Sequence, residues 1–288
     1  MNNKELINIK TMTSAQIMER TGQDSGSSIS SGPPKLSINR TADDDDGNLL
    51  PLGSYMVYVA DIGEYLYGKP VTLRPFICAM QYMEWDSEEK KYSNRSIIFK
   101  NWKEEAIDAN GGTRCGKLPQ KSRTDLTPQE TAEQKNKRCY RLVYGLLTMN
   151  GVKANKEKHR IENFPVLFRV QGTSFAPVNM AVETITRRKK LMHNCSFTLT
   201  SKKQTQGGNF WYTPDIKVNT DVNLELDKQS IETFEVFEKI IEEENKEVFE
   251  EYKQARSKKP SEQDIIDAKI VNKIEEDNET SPEKMLSN

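Results

Sequence analysis

The sequence predicts a mainly β fold with a few helices, an α+β domain built as a small barrel or sandwich. Three observations predict it. Short runs rich in β-branched and aromatic residues recur between turn signals from Leu49 to Val218. Cys195–Val218 reads as a hairpin, with alternation over Ser196–Thr200, a polar turn at Gln206-Gly207-Gly208-Asn209 and a return through Phe210-Trp211-Tyr212 to Ile216. From about Leu226 the apolar spacing changes to three or four residues, the period of a helix.

Residues 1–48 are polar and rich in Ser, Gly and Thr, and include Ser25-Gly26-Ser27-Ser28 and the run Asp43–Asp46. Such a segment buries too little apolar surface to offset its ordering entropy, so a disordered arm is expected, with a transient helix around Ser14–Arg20. The folded domain is expected over 49–225. It opens on the turn Leu50-Pro51-Leu52-Gly53, a strand at Tyr55–Val59 and a turn at Gly68-Lys69-Pro70. Val71–Trp85 is a long strand in which Pro75 marks an edge or a bulge. Glu88–Lys91 is a hairpin tip leading to a strand at Arg95–Lys100. Cys139–Met149 and Phe164–Gln171 are further strands around a loop at Asn150–Arg160, and short helices are expected at Asn101–Ala109 and Asn179–Leu191. Over 226–288, Ile231, Phe234, Phe237, Ile241, Val248 and Tyr252 line one face of an acidic helix, Lys228–Arg256. Ile265, Ile266, Ile270 and Ile274 give a weaker pattern before a polar end.

The net charge of −1 conceals a strong segregation. Residues 66–217 hold 27 Lys/Arg against 14 Asp/Glu, whereas residues 218–288 hold 10 against 20. A basic middle and an acidic end point to a polyanionic partner for the middle. No stretch approaches the roughly 20 apolar residues of a membrane span, and Met1–Arg20 has no apolar signal core. The four cysteines, Cys78, Cys115, Cys139 and Cys195, are far apart and read as free thiols in a cytoplasmic protein.

Motifs for chemistry are weak. Gly111-Gly112-Thr113-Arg114-Cys115-Gly116-Lys117 has the spacing of a phosphate-binding loop. A charged segment, Trp102–Asn110, stands where a buried strand belongs, however, and Leu118-Pro119 replaces the hydroxyl residue and the helix start. A basic loop of Arg114, Lys117, Lys121 and Arg123 fits better than a nucleotide site. His193 and Cys195 are close, but Cys139, His159 and Cys115 are scattered, so no metal site is expected. Two histidines in no nucleophile setting, and carboxylates confined to charge-rich stretches, argue for a protein with no cofactor and no catalysis of its own.

The positive signal is the interleaving of cations with rings. Single-strand binders pair a cationic groove, which tracks the backbone, with aromatic platforms on which bases stack. The candidates for stacking are Trp85, Trp102, Phe175, Trp211 and Tyr212. The candidates for phosphate contact are Arg74, Lys100, Lys117 and Arg169, then Arg187 and Arg188 at a helix end, and Lys202 and Lys203 on the hairpin. Rings on strands commonly belong to a core, and cations at a helix C-terminus also answer its dipole. The clusters gain weight together, set in so basic a segment. The acidic C-terminal segment is expected to compete for the groove or to dock partner proteins.

At this point the architecture resembles the single-stranded-DNA-binding proteins of bacteriophages, with an OB-fold core and an acidic tail. The likeness runs over roughly residues 49–225, through Leu52-Gly53-Ser54-Tyr55, Val71-Thr72-Leu73-Arg74-Pro75-Phe76, Tyr82-Met83-Glu84-Trp85-Asp86-Ser87, the glycine loop and Phe164–Thr173, which also look like replication-region proteins of tailed phages. The resemblance implies an OB-like small barrel that coats single-stranded DNA with little sequence preference during phage replication and recombination, with tail-mediated contact to replication proteins. The ending Met285-Leu286-Ser287-Asn288 departs from the acidic, aromatic-terminated tails of that class. The competing reading is a phage structural or scaffold protein that forms a homo-oligomer through its C-terminal helix. A metal-dependent nuclease would need carboxylates converging in the basic groove.

Overall fold

The computed structural model describes residues 32–45, 47–119, 123, 125–220, 224 and 226–258. The mainly β architecture is present. The strands are β1 (Lys35–Ile38), β2 (Tyr55–Val59), β3 (Glu64–Gly68), β4 (Val71–Asp86), β5 (Lys91–Arg95), β6 (Lys137–Val152), β7 (Lys158–Val170), β8 (Ser196–Gln206) and β9 (Asn209–Asn219). The α-helices among the described residues are α1 (Pro128–Asn136), α2 (Phe175–Arg187) and α3 (Lys228–Lys258).

One sheet runs in the order β3-β2-β1-β7-β6-β4-β8-β9, with β5 on β4. β4, β6 and β7 are successive antiparallel neighbours. The chain then crosses through α2 and returns as β8 beside β4, which gives the spatial order of a Greek key, β8-β4-β6-β7. β1 adds to the far edge of β7 in parallel, and β3 pairs back onto β6 at Tyr67↔Val152, so β1, β2, β3, β6 and β7 close a ring of pairings.

Alternation along these strands makes two layers. Inside the ring lie Leu36, Tyr55, Val57, Leu66, Val143, Leu147 and Phe168, and α2 covers them with Val178, Ala181, Val182 and Ile185. The opposite face of β4 and β6 carries Phe76, Ile77, Tyr140, Leu142, Tyr144 and Leu146, and α3 covers it with Phe237 and Ile241. Pro75 sits at a bulge between Pro75 and Ile77, as its missing N–H requires. Gly145 lies opposite, where a Cβ would overlap the Arg74 carbonyl oxygen. Gly145→Ala is therefore expected to cost about 1–3 kcal/mol, the range for overpacking a close contact, read as a lower urea midpoint with an unchanged slope.

Several expectations are corrected. The expected arm of residues 1–48 gives way to strand β1 at Lys35, because Leu36 is buried inside the ring and Ser37 and Ile38 pair with β2. The acidic helix is integral to the fold, since among the described residues it is the element that covers the outer face of β4 and β6. Asn101–Ala109 is not a helix: Asn101 and Glu104 close a local turn, and Ile107 bridges Thr113. The strand expected at Arg95–Lys100 lies earlier, at Lys91–Arg95. Beyond it, the Asn245 side chain of α3 takes the place of a partner strand, accepting from the Ile98 N–H at 2.6 Å and donating to its carbonyl at 2.9 Å. α2 begins and ends four residues before the expected Asn179–Leu191, because Lys189 takes a left-handed φ of 52° after the Arg188 N–H has closed on Thr184. The loop expected at Asn150–Arg160 shrinks to 153–157. α1 was not foreseen, although Thr127-Pro128-Gln129-Glu130 is a capping box with proline at the first turn. The transient helix at Ser14–Arg20 and the isoleucine pattern at Ile265–Ile274 lie outside the described residues.

Candidate nucleic-acid interface

The C-terminal ends of β4, β7 and β1, the start of β6 and the β5 hairpin meet at one end of the sheet. A groove of about 420 Å³ opens there, lined by Ser37, Asn39, Arg40, Tyr92, Tyr140 and Arg169 among others. Arg169 stands at its centre. Its guanidinium carbon lies 5.1 Å from the Tyr140 ring centroid and 5.5 Å from that of Tyr92, and Nη2 is 3.5 Å from the Tyr92 hydroxyl. The two tyrosine hydroxyls meet at 3.1 Å. Burial, and then the Tyr92 hydroxyl, push the Tyr140 phenol well above its ordinary range, so it remains neutral. Trp85 packs edge-on against Tyr92 at 5.1 Å, turned by a register shift between Glu84 and Trp85, and is partly exposed.

Cations surround this cluster. Burial, and then the Arg169 charge, lower the pKa of Lys35 on β1, which places the two cations near each other. Arg138 and Arg169 both act on the Tyr140 hydroxyl. Among the described residues no ion pair reaches Lys35, Arg40, Arg138 or Arg169, whereas Lys137 is held 3.5 Å from Glu84.

The glycine loop adjoins this surface. It already cradles an anion, its own Asp108. The buried Asp108 carboxylate accepts from the N–H groups of Asn110, Gly112 and Cys115 at 3.0–3.1 Å and from the Asn94 amide at 3.2 Å. Three successive left-handed residues, Arg114, Cys115 and Gly116 (φ 55°, 50° and 67°), hold this turn, an arrangement that costs energy at the two non-glycine positions. The N–H groups that a nucleotide phosphate would need are thus occupied, and extended backbone follows at Lys117. Lys117 is drawn back to the Gln134 carbonyl. Burial, then Arg123, Arg138 and Lys137, lower its pKa to about 8.

The expected contact residues fall into separate groups. Arg169, Trp85 and Lys117 belong to the groove and its rim. Trp102, 52 % exposed, lies tilted against Phe175 at 6.3 Å and edge-on to Phe99, away from the groove lining. Arg74 and Lys100, expected at the phosphates, are engaged elsewhere within the fold. Arg74 donates to the carbonyls of His193 and Leu224 at 2.8 and 3.1 Å and covers the Phe76 ring, and Lys100 lies 3.7 Å from Glu238 of α3. Arg187 is exposed at the end of α2, while Arg188 donates to Thr220 at 2.8 Å. On the β8–β9 hairpin, Lys202 pairs with Asp215 at 2.9 Å and Lys203 covers the Phe210 ring at 4.4 Å. The Trp211 N–H is buried without a partner among the described residues, and the Tyr212 ring packs on Gly53. Gly53 in turn donates to the Asn39 carbonyl at 3.0 Å, so the hairpin leans on the loop that walls the groove.

Sequence reasoning missed Tyr92, Tyr140, Arg40, Arg138 and Lys35. The run Lys137-Arg138-Cys139-Tyr140-Arg141 sets one ring among three cations at the start of a strand, which was the available signal. Arg141 points to the other face. It is only 5 % exposed, and among the described residues its Nε has no partner and Glu183 is the carboxylate acting on it. Among the described residues no group of His, Cys, Asp and Glu is placed to hold a metal, and no helix is long and apolar enough to cross a membrane. No protein-family model, curated protein or solved structure matches the chain, so a functional reading rests on the geometry of the groove itself.

Proposed function

We propose that the chain binds single-stranded DNA in the groove around Arg169, with little sequence preference and no chemistry of its own. The observation that carries this reading is Arg169 held over Tyr92 and Tyr140 in an open groove, among cations that no carboxylate of the described residues neutralises. The partly exposed rings of Trp85 and Tyr92 offer a base a face to stack on, with Tyr140 buried beneath Arg169 as their support, and unpaired cations follow the phosphates. The topology supports the same reading. β4, β6, β7, β8 and β9 stand in the sheet order β7-β6-β4-β8-β9, which we read as the third, second, first, fourth and fifth strands of an OB-like barrel. In such barrels the second and third strands and the loops after the first and fourth bind oligonucleotides. Here these are β6 with Tyr140, β7 with Arg169, the β5 excursion with Tyr92, and the β8–β9 turn. A role in phage replication and recombination, a cytoplasmic setting and contact with replication proteins belong to the same proposal.

The testing experiment is fluorescence anisotropy with labelled oligo-dT and a matched duplex at low and moderate salt. Selective binding of the single strand, weakening steeply as salt rises, is the expected result. No binding at low salt sinks the reading and leaves the assembly role in its place. Acidity provides an independent check through Lys117. An ordinary lysine keeps its proton to pH 10.5, whereas Lys117 loses it around pH 8. The folded state therefore binds fewer protons than the unfolded state between these values, so Lys117 makes stability rise with pH there while the charge offered to DNA falls. Affinity is expected to decline from pH 8 to pH 10, and Lys117→Met is expected to flatten that decline.

A further inference from the structure

An apolar cleft of about 490 Å³ lies on the outer side of α3, lined by Pro33, Pro34, Phe164, Pro165, Val236 and Ile240 among others. It arises because α3 carries two apolar stripes. Phe237, Ile241 and Val248 are buried, and the sheet covers Phe237 and Ile241, but the neighbouring stripe of Thr233, Val236 and Ile240 faces the cleft, with Val236 54 % exposed. Helical spacing of three and four residues sets the second stripe beside the first.

The chain itself supplies an occupant at the mouth of this cleft. The Pro34 carbonyl accepts from the Leu167 N–H at 2.9 Å, which fixes the chain against β7, and Gly32 also lines the cleft. Ile29 stands three residues before Gly32, so at about 3.3 Å per residue it is within roughly 10 Å of Gly32. The preceding segment offers Ile17 and Met18 as further apolar side chains. Residues 1–31 hold three Lys/Arg and three Asp/Glu, so the acidic face of α3 does not repel them, whereas a second copy would bring its own acidic helix.

We propose that residues 14–31 dock along α3, with Ile29 seated against Val236 and Ile240. The segment read from composition as an arm then acts as an intramolecular strap, joining the start of the chain to the helix near its end and covering the second stripe. This inference is independent of nucleic-acid binding.

The test is site-specific photo-crosslinking in the full chain, with p-benzoylphenylalanine replacing the exposed Val236. The expected result is an intramolecular link, in a protein that runs as a monomer on a denaturing gel, to a peptide containing Ile29. Ile29→Asp is expected to abolish that link while far-UV circular dichroism stays unchanged, because the two buried layers are complete in the described residues. A link to a second copy would assign the cleft to self-association and overturn the proposal. So would the absence of any link, or a link that survives Ile29→Asp.

Discussion

Arg169→Gln is expected to weaken binding of labelled oligo-dT by roughly tenfold to a hundredfold while leaving the fold intact. Arg169 lies on the outer face of β7, between two tyrosine rings, and no ion pair of the described residues depends on it. On the proposed reading, removing it takes away one phosphate contact, together with the cation that lies over Tyr92 and Tyr140. A stacked base is worth about 1–3 kcal/mol and a cation over a ring about 0.5–2 kcal/mol. Each 1.4 kcal/mol is about a factor of ten in affinity. The salt dependence is informative in its own right, since losing one phosphate contact on a single strand lowers the slope by about 0.7. Arg169→Lys keeps the charge but loses the planar surface that lies on the rings, so it is expected to fall between the two. Arg74→Gln serves as the contrast: it removes bonds to His193 and Leu224, so it should lower the unfolding midpoint and leave affinity unchanged. Equal affinities for the parent and Arg169→Gln would remove the groove from consideration.

Phe237→Ala is expected to destabilise the chain by about 3–5 kcal/mol, the range for truncating a buried aromatic residue. The ring is fully buried, 5.5 Å from Tyr144 and 6.4 Å from Phe76, under the middle of the outer face. Urea unfolding followed by circular dichroism measures the effect, and a midpoint unchanged within error would mean that α3 is the loosely attached acidic tail its composition suggests. The same packing sets how the acidic end can be studied. A cut before Lys228 uncovers Phe76, Tyr144 and Leu146, whereas a cut after Lys258 leaves both layers covered. Competition between the acidic end and DNA is therefore tested with the second cut. α3 also bears on the groove from a fixed position, because Glu244, Glu247 and Glu251 hold Arg95, three residues from Tyr92, whose ring Arg169 covers. These partly exposed pairs orient more than they stabilise.

The sequence by itself determined the features that depend on neighbours in the chain. Alternation placed β8 and β9 and their glycine turn, helical spacing placed α3 almost to the residue, and the missing N–H of Pro75 marked a bulge. The segregation of positive charge into the middle of the chain is likewise a property of composition. Tertiary structure alone decided which cations are free. Arg74 and Arg169 look alike in sequence, each a single cation within a largely apolar strand segment. Arg74 meets carbonyls 119 and 150 residues away, whereas Arg169 meets two rings and, among the described residues, no carboxylate. Tyr92 and Tyr140 are 48 residues apart and meet only because β4 pairs with both β5 and β6. The acidic helix became part of the core for the same reason: its apolar stripe could be read locally, but the surface it covers is assembled from strands far away in the chain. Periodicity specifies what a segment needs to bury, and only the closed sheet specifies what is there to bury it.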